Sequence, residues 1–146
     1  EQPAPKPPAE VRIGGAGQPG KFDLLGFTHY WGRSRRGWWV VKRRTARDRF
    51  SRSLKRVAQW CRRYRHQPIL QQWKALVQKV RGHLGYFGIR GNSRALARFL
   101  HRVMRIWCKW LSRRSQRTRM PWDRMMKLLE RYPLPRARIL RAHRPA

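Results

Sequence analysis

The spacing of apolar residues changes once along the chain, near Thr45. Before that point, Phe22, Leu24, Leu25, Phe27, Tyr30 and Trp31 are strand formers, and Trp38-Trp39-Val40-Val41 supplies a return strand. Between them lies Gly32-Arg33-Ser34-Arg35-Arg36-Gly37, a loop bounded by glycines and carrying Arg33, Arg35 and Arg36. Residues 21–44 therefore predict a β-hairpin. After Thr45 the period becomes helical. Phe50, Leu54, Val57, Ala58, Cys61 and Tyr64 fall at i, i+4, i+7, i+8, i+11 and i+14, one apolar stripe among Arg47, Arg49, Arg52, Lys55, Arg56, Arg62 and Arg63. Thr45 and Asp48 have the spacing of a capping box, with Asp in place of Glu.

Pro68 stops this helix or opens the next, which the stripe Ile69, Trp73, Leu76, Val77, Val80, Leu84 and Phe87 extends from about Ile69 to Tyr86. Gly82 and Gly85 inside it each cost ~1 kcal/mol relative to Ala, so they are expected to admit a close neighbour. A packed helix is preferred in that role over a phosphate backbone. Gly88-Ile89-Arg90-Gly91-Asn92 breaks the chain, and Ser93 can cap a third helix. Its stripe of Leu96, Leu100, Val103, Trp107 and Leu111 is widened by Phe99, Met104, Cys108 and Trp110, a breadth that implies contact with two elements. A basic connector from Ser112 to Arg119 leads to a short fourth helix from about Pro121, with Trp122, Met125, Met126 and Leu129 inward; Pro133 and Pro135 end it.

The fold class is thus mainly α: a short N-terminal β-hairpin feeding a bundle of three to four helices. Residues 45–138 form the helical domain and 139–146 a basic tail. Residues 1–20 hold Pro3, Pro5, Pro7, Pro8 and Pro19 with Gly14, Gly15, Gly17 and Gly20, and read as a flexible leader. Within it, the segment from Gly15 to Gly20 has the glycine spacing of a dinucleotide-binding loop. No strand precedes it, Pro19 interrupts it and no helix follows, so that reading fails.

Charge changes the picture most. Lys and Arg number 37 against 6 Asp and Glu, a formal net charge of +31. So much like charge repels itself in a compact fold and calls for an anionic partner. Of the 37, 29 are Arg, whose planar fork of donors matches phosphate and stacks on bases. A nucleic-acid partner follows. An aromatic hairpin with an arginine tip could grip its backbone; a solvated loop on a structural hairpin is the equal alternative.

Enzyme readings fail for want of carboxylates. Glu1, Glu10, Asp23, Asp48, Asp123 and Glu130 are dispersed, whereas a two-metal site needs clustered acids to hold ions ~3.5–4 Å apart. His29, His66, His83, His101 and His143 are scattered, and one approach of Cys61 to His66 makes no four-ligand zinc site. No metal or other cofactor is expected. Cys61 and Cys108 fall on apolar helical faces and are expected as small core residues in a reducing cytosol. The longest apolar run, Trp38 to Val41, is far short of the ~20 residues that cross a bilayer, and no secretory signal is found.

Four segments taken together point to a family. Phe22-Asp23-Leu24-Leu25-Gly26-Phe27-Thr28-His29-Tyr30-Trp31 resembles the last reverse-transcriptase block of group II intron-encoded proteins. Arg81-Gly82-His83-Leu84-Gly85-Tyr86-Phe87-Gly88-Ile89-Arg90-Gly91-Asn92 is similar to the signature of their maturase domain, also called the thumb or X domain. Trp110-Leu111-Ser112-Arg113-Arg114-Ser115-Gln116 and Leu129-Glu130-Arg131-Tyr132-Pro133-Leu134-Pro135 resemble two later blocks. The blocks stand in the expected order over roughly residues 21–138.

The resemblance implies a thumb-like helical module that binds group II intron RNA, assists splicing and, as a thumb, tracks an RNA/DNA template–primer duplex. The residues it carries over are Arg81, His83, Tyr86, Arg90 and Asn92 in the central signature and Arg113, Arg114 and Ser115 in the connector. Arg62, Arg63, Arg65 and His66 at the end of the first helix complete the set. Phe87 is expected in the core. The family's Tyr-x-Asp-Asp metal-binding motif is missing, no His/Asn-rich endonuclease domain follows, and the chain opens on Glu1. It therefore looks like a truncated copy or fragment without polymerase activity. Two other readings stay open: a poorly folded remnant, and a polycationic binder of anionic membranes. The oligomeric state is not legible.

Overall fold

The computed structural model describes residues 20–117 and 119–139; the leader up to Pro19 and the basic tail from Leu140 lie outside the described residues. The chain divides into two compact units, residues 1–49 and 50–146.

The first unit is a three-stranded antiparallel sheet in the order β1-β2-β3, with β1 Phe22–Leu24, β2 Phe27–Arg33 and β3 Trp39–Thr45. The segment expected as one strand is folded in two at Leu25-Gly26, both of which take positive φ (53° and 83°). Gly26 adopts that conformation without strain, whereas Leu25 does so as a 75% exposed turn residue. The β1–β2 turn is fastened by a short hydrogen bond from Thr28 Oγ1 to Asp23 Oδ1 and by Phe22 stacking on His29, its partner in register, at 4.8 Å. The return strand also runs further than its apolar start suggests: Lys42, Arg43 and Arg44 pair with Tyr30, His29 and Thr28. Arg33 lies 5.0 Å over the ring of its cross-strand partner Trp39, and Arg44 lies 5.2 Å over Tyr30. Cations thus sit in the sheet on aromatic faces, where the ring quadrupole attracts them.

The second unit holds most of α1 (Arg47–Arg63), with α2 (Ile69–Phe87), α3 (Ser93–Ser112) and α4 (Trp122–Arg131). The mainly α class with a short N-terminal hairpin and a helical bundle holds. Thr45 is the last residue of β3, so Ala46 precedes α1, with Asp48 in the first turn of that helix. The expected cap at Ser93 does not hold. Asn92, not Ser93, stands before α3, and its side-chain Nδ2 turns back to donate to Phe87 O at 2.9 Å. It thereby closes the break between α2 and α3, with Gly91 at φ 89° supplying the left-handed corner.

α3 is the spine. Leu96, Phe99, Leu100, Val103, Trp107, Cys108 and Leu111 are buried along it, against Val57 and Cys61 of α1, Leu76, Val80, Leu84 and Phe87 of α2, and Met125 and Leu129 of α4 in the same core. Each large apolar side chain so buried contributes ~1.5–3 kcal/mol. α3 does meet more than one neighbour: Trp107 of the stripe bonds to Gln72 of α2, and His101, outside the stripe, meets Trp122 of α4 edge-on at 6.0 Å. Met126, expected inward, is 46% exposed. It adjoins Met125 on a helix only ten residues long, and the 122/125/129 spacing leaves no place for it on the inner face.

One buried polar network sets the α1–α2 corner. Gln72 is 1% exposed; its Nε2 donates to Gln67 O at 2.7 Å and Arg65 O at 3.2 Å, while its Oε1 accepts the Trp107 indole N–H at 3.0 Å. A single side chain therefore satisfies the 65–67 turn and ties it to α3. At the far end of α3, the Ser112 hydroxyl accepts Met120 N at 2.9 Å and donates within reach of Cys108 O, closing the basic connector on itself.

Candidate nucleic-acid interface

The corner built by Gln72 brings together basic residues nearly fifty positions apart in sequence. Trp110, in the last turns of α3, is half-buried, and cations from both sides of the corner approach its ring. Arg62 and Arg65 lie 5.9 Å from the ring centroid, Lys109 5.3 Å and Arg113 5.4 Å. Arg114 joins them by donating from Nη2 to Gln67 O at 3.3 Å, and Arg65 donates from Nη1 to Arg62 O at 2.8 Å. The Nε of Arg65 is buried with no protein acceptor. Arg63 packs over Tyr64 at 5.4 Å beside the cluster in sequence; His66 and Ser115 are exposed, and Ser115 Oγ accepts Arg117 N at 3.2 Å.

Two effects hold this charge together. The ends of α1 and α3 each carry ~−0.5 of a charge from the helix dipole, which favours cations but neutralises only about one of the five at this corner. Triangle geometry puts the four cations around Trp110 within about 12 Å of one another. At ~10 Å in water each pair repels by ~0.4 kcal/mol. Six pairs therefore cost at least roughly 2 kcal/mol, against which four cation–π contacts contribute ~0.5–1 kcal/mol each. No Asp or Glu stands anywhere between Asp48 and Asp123, so no acid of α2 or α3 competes for these groups. The result is a preorganised patch of positive charge with free donors.

The remaining residues of the central signature lie away from this corner. α2 is about 27 Å long at ~1.5 Å per residue, and Arg81, Tyr86 and Arg90 belong to its last turns and the break beyond. Arg81 and Arg90 are exposed and Tyr86 is 50% exposed, with its ring edge-on to Phe87 at 4.7 Å. His83 and Asn92 correct the sequence reading. His83 is buried, stacked on Phe99 at 3.6 Å and tilted against Phe87 at 4.6 Å; burial pulls its pKa down to about 4, and its Nε2 has no protein partner. A neutral imidazole packed between phenyl rings is a core residue. Asn92 is 1% exposed and serves the backbone of Phe87. His83 answers to packing because α2 turns it toward Phe99 of α3, and Asn92 because it closes the break between the two helices. Phe87 is buried, as expected.

Gly82 and Gly85 also differ from expectation: a side chain at either would meet nothing within 4 Å, so no helix packs there. In the first unit, Arg35 and Arg36 are exposed on the β2–β3 turn, while Arg33 is engaged with Trp39. That turn is a defined one: Gly37 N donates to Ser34 O at 2.9 Å and Ser34 N to Trp38 O at 2.8 Å, with Gly37 at φ 81°.

Cys61 and Cys108 are buried and unbridged; burial pushes the Cys61 thiol up to about 12 and raises that of Cys108. Among the described residues no three His, Cys, Asp or Glu side chains come together as a metal site, and no helix is long and apolar enough to cross a membrane. Trp110 and Lys109 are the residues that sequence reasoning missed, because Trp110 belongs to the apolar stripe. The available signal was Lys109 beside it and Arg113 one turn on. No family model, curated protein or solved structure matches the chain.

Proposed function

We propose that this chain is an RNA-binding helical module of the thumb/X maturase type, acting on folded group II intron RNA and gripping a template–primer duplex. The observation that carries the reading is the corner at which Arg62, Arg65, Arg113 and Arg114 converge, within a stretch from residue 49 to 122 that holds no Asp or Glu. One of the sequence blocks that resemble the family, Trp110 to Gln116, contributes Arg113 and Arg114 to it. Guanidinium forks held without carboxylate partners suit phosphate oxygens and 2′-hydroxyls, the groups that structured RNA exposes. Exposed Tyr86, with Arg81 and Arg90 near it in sequence, offers a stacking residue among cations for an unpaired base.

The test is a filter-binding titration against a group II intron RNA and a length-matched unrelated RNA, at low and near-physiological salt. Affinity for any RNA should fall with a log–log slope of about −0.7 to −0.9 per phosphate contact. Preference for intron RNA that survives the higher salt supports the module. Equal binding that collapses with salt leaves only a polycation and refutes the proposal.

A further inference from the structure

We infer that the Trp110 corner binds phosphates held close together, as where strands of a folded RNA converge, and that Trp110 positions the cations and does not stack on a base. The inference rests on the RNA-binding reading and specifies what this corner recognises. The ring is half-buried, and Arg62, Arg65, Lys109 and Arg113 already stand over it at 5.3–5.9 Å. A base stacked on the same ring would have to displace them. Left in place, the cations lie within about 12 Å of one another around a single ring, so they match phosphates held close together better than one extended strand. Arg65 adds a buried Nε with no protein acceptor, and Arg114 is anchored to the same turn through Gln67 O. The Gln72 network fixes that turn before any ligand arrives, so binding orders little of the backbone.

Titration calorimetry of the full chain, at fixed ionic strength, with inorganic tripolyphosphate, inorganic phosphate and adenosine monophosphate tests the ligand class. Tripolyphosphate should bind at least about tenfold more tightly than phosphate, and adenosine monophosphate no more tightly than phosphate. Arg62→Gln with Arg113→Gln should weaken tripolyphosphate about tenfold or more. Arg52→Gln with Arg94→Gln, which removes equal charge from exposed positions outside the corner, should weaken it less than about threefold. Trp110→Leu should weaken it about threefold at unchanged charge, and Trp110→Phe should restore most of that. Equal loss in the two double variants overturns the inference, as does adenosine monophosphate binding far better than phosphate and losing that advantage in Trp110→Leu.

Filter binding of a three-way-junction RNA and of single-stranded oligouridine of the same length separates the sources of phosphate. The junction should lose affinity in the Arg62/Arg113 variant, and the oligouridine no more than in the Arg52/Arg94 variant. A response of tripolyphosphate alone assigns the corner to a free polyphosphate and overturns the RNA part. A wild-type chain that prefers intron RNA, with junction binding untouched by the Arg62/Arg113 changes, sinks the inference and leaves the proposed function standing.

Discussion

His83 sits within a sequence block read as RNA-binding, yet the structure packs it between Phe87 and Phe99, and the two readings predict opposite behaviour of one variant. The perturbation is His83→Phe combined with acidification. In the folded chain burial holds the pKa down near 4, against 6.5 for an unperturbed imidazole. The folded state therefore binds fewer protons than the unfolded state at every pH between these values. Stability is fully present above pH 6.5 and is lost as pH falls toward 4. Integrating the two titrations from pH 7, the loss is about 2 kcal/mol by pH 5 and about 3 kcal/mol by pH 4, where it levels off. Against a typical domain stability of ~5–15 kcal/mol that is a large fraction.

Phe at this position keeps an aromatic ring on Phe99 and removes both the titrating group and the unpartnered Nε2. Urea unfolding at pH 7, 5 and 4 should show wild type losing about 2 and then about 3 kcal/mol more than the variant, other titrating groups being common to both. At pH 7 the RNA affinity of the variant should stay within about twofold of wild type, since the ring faces the core. Parallel stability curves for the two proteins, or a loss of RNA affinity beyond about tenfold with stability intact, would refute the assignment of His83 to the core.

Three further outcomes are expected. Gln72→Leu leaves the Trp107 indole N–H without its acceptor and removes the donor to the Arg65 and Gln67 carbonyls, and should cost about 2–4 kcal/mol in chemical denaturation; a cost under about 0.5 kcal/mol would mean the α1–α2 corner is held by other contacts. Gly82→Ala and Gly85→Ala point into open space from a helix interior, so each should raise stability by about 0.5–1 kcal/mol, and a drop in melting temperature would reveal a neighbour there. Cys61, with its thiol pushed up to about 12 by burial, should react with a disulfide reagent at pH 8 only as fast as the chain unfolds, and prompt labelling of Cys61 would contradict its burial.

Much of the architecture was legible in the sequence because it depends on local periodicity. The stripe Leu76, Val80, Leu84 and the stripe Leu96, Leu100, Val103, Trp107 could only be helical, and burial follows them. The turn at Gly37 followed equally from its residue type, since glycine accepts positive φ without strain. The split at Leu25-Gly26 was hidden by strand formers on both sides; a single left-handed pair is a two-residue event that composition averages away. Met126 was misassigned for a related reason: on a short helix one apolar residue more or less does not define a face.

The candidate interface divides along the same line. Charge, the absence of acids between Asp48 and Asp123 and the arginine-rich blocks are properties of composition, so a polyanionic partner was readable from the chain alone. Which basic residues act together was not, because it depends on contacts across the corner where α1 ends beside the end of α3. Only there do Arg62 and Arg65 meet Lys109 and Arg113 over one indole. The same packing withdraws His83 and Asn92 from any ligand, although their neighbours Arg81, Tyr86 and Arg90 stay exposed. Sequence by itself determined the elements and the sign of the charge, since both are sums over near neighbours. Tertiary structure decided which side chains face solvent together, since that depends on how each helix is rotated against the next.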